Sequence, residues 1–228
     1  MDNSAVTFTL MELFQMGGVV MWPLLFFSIA TVAITIERAV FILRHDLKVE
    51  SLKIKTAEAF QDGKLQEAIA FLQDRKDKAI GAGVLLVVAK GRGTSEHRLE
   101  KAVQAEASRG IASLESGLNL LTTLASISPL TGFLGTVTGM IAAFMSIADA
   151  ADVNAQIVAS GIYEALITTV FGLIIAIVAM SAHSIFSSIT DKYTSDLEIA
   201  CSDLIVQMHE PIQTKTLCFA NQADLEGK

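Results

Sequence analysis

From Gly110 to Asp191 the chain carries neither lysine nor arginine, and within that stretch residues 126–139 read SISPLTGFLGTVTG. A long segment free of basic side chains suits hydrocarbon, where backbone polar groups must be satisfied internally and an apolar run of this length is held as helix. Glycine and threonine are tolerated there where helices touch. Glycine lets two backbones approach, and a threonine hydroxyl bonds a neighbour or the carbonyl one turn back. The segment therefore predicts membrane helices packed closely around something polar.

Composition agrees with that constraint. Hydrophobic residues make up 52% and charged residues 18% of the chain, with a mean hydropathy of +0.51, whereas soluble domains carry roughly 25% charged residues. The formal net charge of −7 argues against a nucleic-acid partner, which requires clustered Lys and Arg on an accessible face. Cys201 and Cys218 are too few for a disulfide framework, and free thiols on a reducing side are expected.

Three uncharged runs, 17–36, 117–148 and 165–190, approach or exceed the roughly 20 residues a membrane helix needs. No Lys or Arg precedes the first run, while Arg38, Arg44, Lys48, Lys53 and Lys55 follow it. It reads as a retained anchor with its N-terminus outside. Fourteen of the 17 Lys and Arg residues lie between Arg38 and Arg109, which places that region in the cytoplasm. The expected layout is a periplasmic amphipathic segment (1–16), a first transmembrane helix (17–43), a cytoplasmic helical region (44–116), a second transmembrane helix (117–148), a short periplasmic loop (149–163), a third transmembrane helix (164–190) and a cytoplasmic extension and tail (191–228). Trp22 and Pro23 suit an interfacial anchor, and Phe8, Met11 and Phe14 suit a short helix on the outer surface.

Two helices are expected to outrun the bilayer. An apolar pattern begins after Thr94 and Ser95, plausible caps, and continues into the second run. One helix over 94–148 would be about 80 Å long, against a hydrocarbon core of about 30 Å. After the third run, Phe186, Ile189, Tyr193, Leu197, Ala200, Leu204 and Met208 form an apolar stripe, spaced for packing either on its own chain or on like helices, until Pro211. Shorter helices are expected over 51–61 and 65–74, and an apolar piece over 79–89 is too short to span.

Several residues carry candidate chemistry. Glu164 opens the third helix, with Asp149 and Asp152 before it; it is either a helix N-terminal residue stabilised by the dipole or part of an ion route. Glu37 and Arg38 end the first span, where the two are expected to pair while Arg38 snorkels. Thr136, Thr168 and Thr169 fit either back-bonded packing or a polar path. Gly132, Gly135, Gly139 and Ala143 form a small-residue face, and Pro129 lies within the same helix. No catalytic or metal-binding signature is present in the sequence, so neither an enzyme nor a cofactor is expected.

Three blocks, GGVVMWP at 17–23 leading to Glu37 and Arg38, LNLLTTLA at 118–125 running through Pro129 into GFLGTVTG at 132–139, and GIYEALITTVFGL at 161–173, together resemble the ExbB/TolQ/MotA family of ion-channel subunits, in its ExbB/TolQ branch. The resemblance implies an all-α protein of the bacterial inner membrane with helices two and three extended far into the cytoplasm, N-terminus periplasmic and C-terminus cytoplasmic. It further implies a homopentameric ring around an ExbD/TolR-like single-span dimer, with proton flow driving a TonB/TolA-like transducer. Thr136 and Thr169 match the pore threonines that face the partner's aspartate, Glu164 the glutamate of span three, and Glu37 the acidic residue of span one. Thr168 joins that route. Thr168 and Tyr163 stand where better-known members often have alanine. The competing reading is a non-conducting scaffold that anchors a periplasmic machine. The small-residue face and the stripe are expected to build the ring.

The orientation is testable. In intact cells an impermeant thiol reagent should modify a cysteine introduced at Val153 and miss both native cysteines; labelling of the native pair from outside overturns it.

Overall fold

The computed structural model describes residues 10–45, 47–61, 64–76, 78–91, 93–149 and 155–209, and the described residues are helical, without strands. The elements are α1 (Leu10–Met16), α2 (Met21–Arg44), α3 (Val49–Gln61), α4 (Leu65–Arg75), α5 (Ile80–Lys90), α6 (Glu96–Glu115), α7 (Leu118–Asp149) and α8 (Ala155–His209). Three helices are long and apolar enough to cross a membrane, within Met21–Phe60, His97–Ala148 and Ala159–Gln207. The chain divides into two units, residues 1–40 with 116–188, and residues 41–115 with 189–228.

In the first unit, Met21 and Leu24 of α2 are buried against Ile167 and Ile175 of α8, with Phe14, Val20, Phe27 and Phe171 packed around them. Phe14 of α1 meets Trp22 edge-on, with ring centroids 5.5 Å apart. Phe8 and the side chain of Met11 lie outside the described residues. α7 continues through Pro129, and Ser128 donates to the Leu124 carbonyl at 2.6 Å just before the proline.

The second unit is built around α5. Its sequence is apolar on all sides, as a helix surrounded by protein must be, and Gly81 to Leu86 are all buried. Leu52 of α3, Leu72 of α4, Leu99 and Val103 of α6, and Tyr193, Leu197, Ala200 and Leu204 of α8 close over it. From Tyr193 to Leu204 the stripe is therefore covered by the chain's own helices, the first of the two readings its spacing left open. Lys53 donates to Asp203 at 2.6 Å across α3 and α8.

The helix expected to run unbroken over 94–148 is two. Gly117, at φ +81, ends α6 in the left-handed conformation that terminates helices, and its carbonyl accepts from Leu120 and Leu121 to start α7. A single glycine between apolar turns gives no periodicity signal, which is why the pattern reads as continuous. α8 differs in the other direction. It begins at Ala155, well before Glu164.

Cys201 is buried, and burial, followed by the Glu198 charge, pushes its thiol up to about 12. Failure to label it therefore reports burial as much as sidedness; a cysteine at the exposed Ser202 tests orientation better. Cys218 lies outside the described residues. The folded thiol stays protonated up to about pH 12, whereas an unfolded thiol ionises near pH 8.5. The stability this contributes is complete below about pH 8.5 and is lost as pH rises toward the folded value. Thermal unfolding from pH 7 to 10 should show an alkaline loss that Cys201→Ala reduces, and alkylation at pH 8 should be slower than in the unfolded chain by more than about a hundredfold, because far less of the folded thiol is thiolate.

Candidate functional site

The site is built where α7 and α8 meet in the first unit. A Cβ on Gly132 would lie 2.8 Å from the Thr168 carbonyl oxygen and 3.0 Å from the Thr169 Cα, and one on Gly172 would lie 2.6 Å from the Ser128 carbonyl. At Gly139 the neighbours are the Gly161 carbonyl at 3.1 Å and the Ala165 nitrogen at 3.2 Å. These are backbone atoms, which cannot swing aside. Only glycine permits this approach, as at close membrane-helix crossings.

That approach positions the threonines. Thr168 is fully buried, fills the space beside Gly135, and donates to the Ala165 carbonyl at 2.9 Å and the Gly132 carbonyl at 3.3 Å. Thr169, half-buried, donates to the same Gly132 carbonyl at 3.2 Å. Regular helix geometry pairs that carbonyl with the Thr136 N–H, so Thr136 and Thr169 converge on one peptide group. The Thr136 hydroxyl donates to the Phe133 carbonyl at 2.7 Å. A hydroxyl that gives its proton to the backbone keeps oxygen lone pairs for a cation, a water or a protonated acid.

Glu164 lies one helical turn from Thr168 on α8, on the same side of the helix. Contrary to the sequence expectation, it does not open the helix: α8 has no acidic residue in its first turn, and Glu164 falls in the third. That removes the reading in which it serves as a helix N-terminal residue. Its carboxylate is half-buried, rests against Gly18, and lines a cavity of about 490 Å³ with Ser146, Gln156, Ser160 and Gly161. Among the described residues it forms no ion pair. Gly18 is the residue sequence reasoning missed; its sequence neighbours give no hint of a contact with residue 164.

Glu37 and Arg38 pair as expected, with Arg38 Nε 2.8 Å from Glu37 Oε2. Arg38 does not snorkel, however. It is 7% exposed, and its guanidinium lies beside Gly117 at the start of α7; burying the head group fixes the α6–α7 turn to α2, at a desolvation cost that the Glu37 pair offsets.

A match to the model of the MotA/TolQ/ExbB proton channel family covers residues 66–199. The chain belongs to this family. Relatives of the MotA/TolQ/ExbB family include biopolymer transport protein exbB1 of Vibrio cholerae, 32% identical over 83% of this chain and 84% of the relative. The Tol-Pal system protein TolQ of Haemophilus influenzae is 33% identical over 71% and 75%, and biopolymer transport protein ExbB of Salmonella typhimurium 28% identical over 84% and 81%. These matches make the chain a membrane protein of a channel family.

The face of Gly132, Gly135, Gly139 and Ala143, expected to join subunits, is occupied within the chain by Thr168, Gly161 and Ala165. The physical reason is local: two helices joined by a short connection meet each other's small residues first.

Gly132→Ala and Gly172→Ala should each destabilise the unit by about 1–3 kcal/mol, the cost of forcing atoms into a packed contact. Gly83→Ala, whose Cβ would meet only side-chain atoms at 3.6 Å or more, should be neutral. Thermal unfolding of the purified variants in one detergent checks the contrast; equal midpoints for all three would refute the backbone-contact account.

Proposed function

We propose that this protein is an inner-membrane proton-channel subunit of an ExbB–ExbD or TolQ–TolR type motor, which energises a TonB- or TolA-like transducer for outer-membrane transport or envelope work. The observation that carries the reading is the meeting of the Thr168 and Thr169 hydroxyls on the Gly132 carbonyl, one turn before Thr136 on α7, with the Glu164 carboxylate farther along α8. The route runs from Glu164 past the hydroxyls of Thr169 and Thr136, and Thr168 forms the wall beside them. Among the described residues no acid lies beside the two threonines to take up and release a proton, so an aspartate on a single-span partner dimer supplies that step. Several copies of this chain, a homopentamer by family, surround the dimer. Because the glycine face is used within the chain, exposed apolar residues such as Phe133, Leu134, Ile141 and Phe144 meet neighbouring subunits and lipid. Glu37, paired to Arg38, holds the first span at its inner end and tunes the coupling of that end to α7. The N-terminus is periplasmic and the C-terminus cytoplasmic in this reading.

One observation favours a non-conducting scaffold instead: the Thr168 and Thr169 hydroxyls are donated within the chain. Thr136→Val and Thr169→Val decide between the two. Each keeps the side-chain shape and removes an oxygen, and losing one membrane hydrogen bond costs only about 0.6 kcal/mol on average. Ion-driven work should be abolished while the complex still assembles, because a hydrophobic constriction dewets. Glu164→Gln should impair flux for want of charge. Undiminished flux in both threonine variants at normal complex yield rejects the channel role in favour of the scaffold.

A further inference from the structure

The α1–α2 elbow and the Glu164 carboxylate are in direct contact. Gly18 sits in the elbow at φ +66, and its carbonyl accepts from the Met21 N–H at 3.3 Å as α2 begins. A Cβ on Gly18 would overlap Glu164 Oε1 and stand 2.8 Å from its Cδ and 3.5 Å from its Cγ. The carboxylate therefore lies where a side chain at residue 18 would be. The elbow is itself packed on α8 through Met21 and Leu24 against Ile167 and Ile175, and Phe14 against Trp22 braces α1 on α2. On its other side the carboxylate borders the cavity shared with Ser146, Gln156 and Ser160. Among the described residues no hydrogen bond or ion pair holds it, so packing against the elbow is what limits its rotamers. A flexible glutamate would otherwise sample several staggered positions within the cavity.

We infer that Gly18 is a positioning residue for ion capture: the bare Cα of the elbow sets the Glu164 carboxylate at the lip of the polar cavity, and any side chain there would drive it off that position. The inference rests on the ion-route reading of Glu164 and extends it to a residue in the elbow that precedes α2.

The test is a double-mutant cycle on the complete complex with its single-span partner, reconstituted in vesicles. Flux is followed against cation concentration for the wild type, Gly18→Ala, Glu164→Asp, the Gly18→Ala/Glu164→Asp pair and Glu164→Gln. Aspartate is one methylene shorter and withdraws the carboxylate from the elbow. Gly18→Ala should raise the half-saturating cation concentration by about fivefold or more in the glutamate background and by less than about twofold in the aspartate background, the coupling expected of residues in contact. Backbone strain from alanine at positive φ is the same in both backgrounds. Equal losses in the two would therefore assign the effect to strain and overturn the inference, as would an unaffected Gly18→Ala alongside an impaired Glu164→Gln. An unaffected Glu164→Gln instead rejects the ion route itself. A second readout is independent of flux: the rate at which dicyclohexylcarbodiimide modifies residue 164, followed by peptide mass. It should change on Gly18→Ala with glutamate present and hold steady with aspartate; an unchanged rate in the glutamate background overturns the inference even where flux is lost.

Discussion

The contact of two backbones at Gly132, Gly139, Gly161 and Gly172 is the constraint on which the rest of the first unit depends. Lipid tails are as apolar as leucine, so helices in a bilayer gain little from hiding apolar side chains from each other. What holds them is dispersion at short range and hydrogen bonding across the contact. Carbonyl oxygens come as near as 2.6 Å to the place a Cβ on the opposite glycine would take, and at that separation a Thr168 or Thr169 hydroxyl reaches the Gly132 carbonyl on the facing helix. Had any of these glycines been larger, the helices would separate, and the hydroxyls would return to their own backbone, as those of Thr122, Thr123 and Thr131 do.

The second unit follows the opposite rule. Its centre is α5, a helix without a polar face, and the helices around it each contribute one apolar side. Burying a leucine such as Leu72, Leu85, Leu99 or Leu204, all at 0–1% exposure, contributes roughly 1.5–3 kcal/mol in water, a driving force absent from hydrocarbon. One helix, α8, contributes to both units: glycine and threonine form its packing surface before residue 188, and leucine, alanine and a buried thiol form it after.

Much of this was legible in the chain. The uncharged runs marked the three membrane-length helices, because length and the absence of charge are one-dimensional properties. The period of the stripe from Tyr193 to Leu204 marked a buried face, and α3, α4 and α5 begin or end within a few residues of their expected limits. The features that were not legible depend on a partner distant in sequence. Gly117 reads as one more small residue, although its φ of +81 divides a helix. Arg38 reads as an interfacial cation, although the α6–α7 turn folds over it. Glu164 reads as the start of a helix, because the preceding acidic residues resemble a loop, although the helix had begun at Ala155.

The sequence by itself determined what each segment can tolerate: which stretches enter hydrocarbon, which face of each helix is apolar, and which positions carry hydroxyls or a carboxylate. Those properties are local and survive in the unfolded chain. Only the tertiary structure decided which surface each face meets. The same glycine row fits a neighbouring subunit or a neighbouring helix, and the same stripe fits a second copy or the chain's own α5. In both cases the chain's own helix takes the place, being tethered at high effective concentration and needing no association entropy. Likewise nothing in residues 17–23 or 161–173 taken alone sets the Glu164 carboxylate on Gly18. That contact exists because α2 and α8 pack through Met21, Leu24, Ile167 and Ile175, and packing is a property of the folded pair.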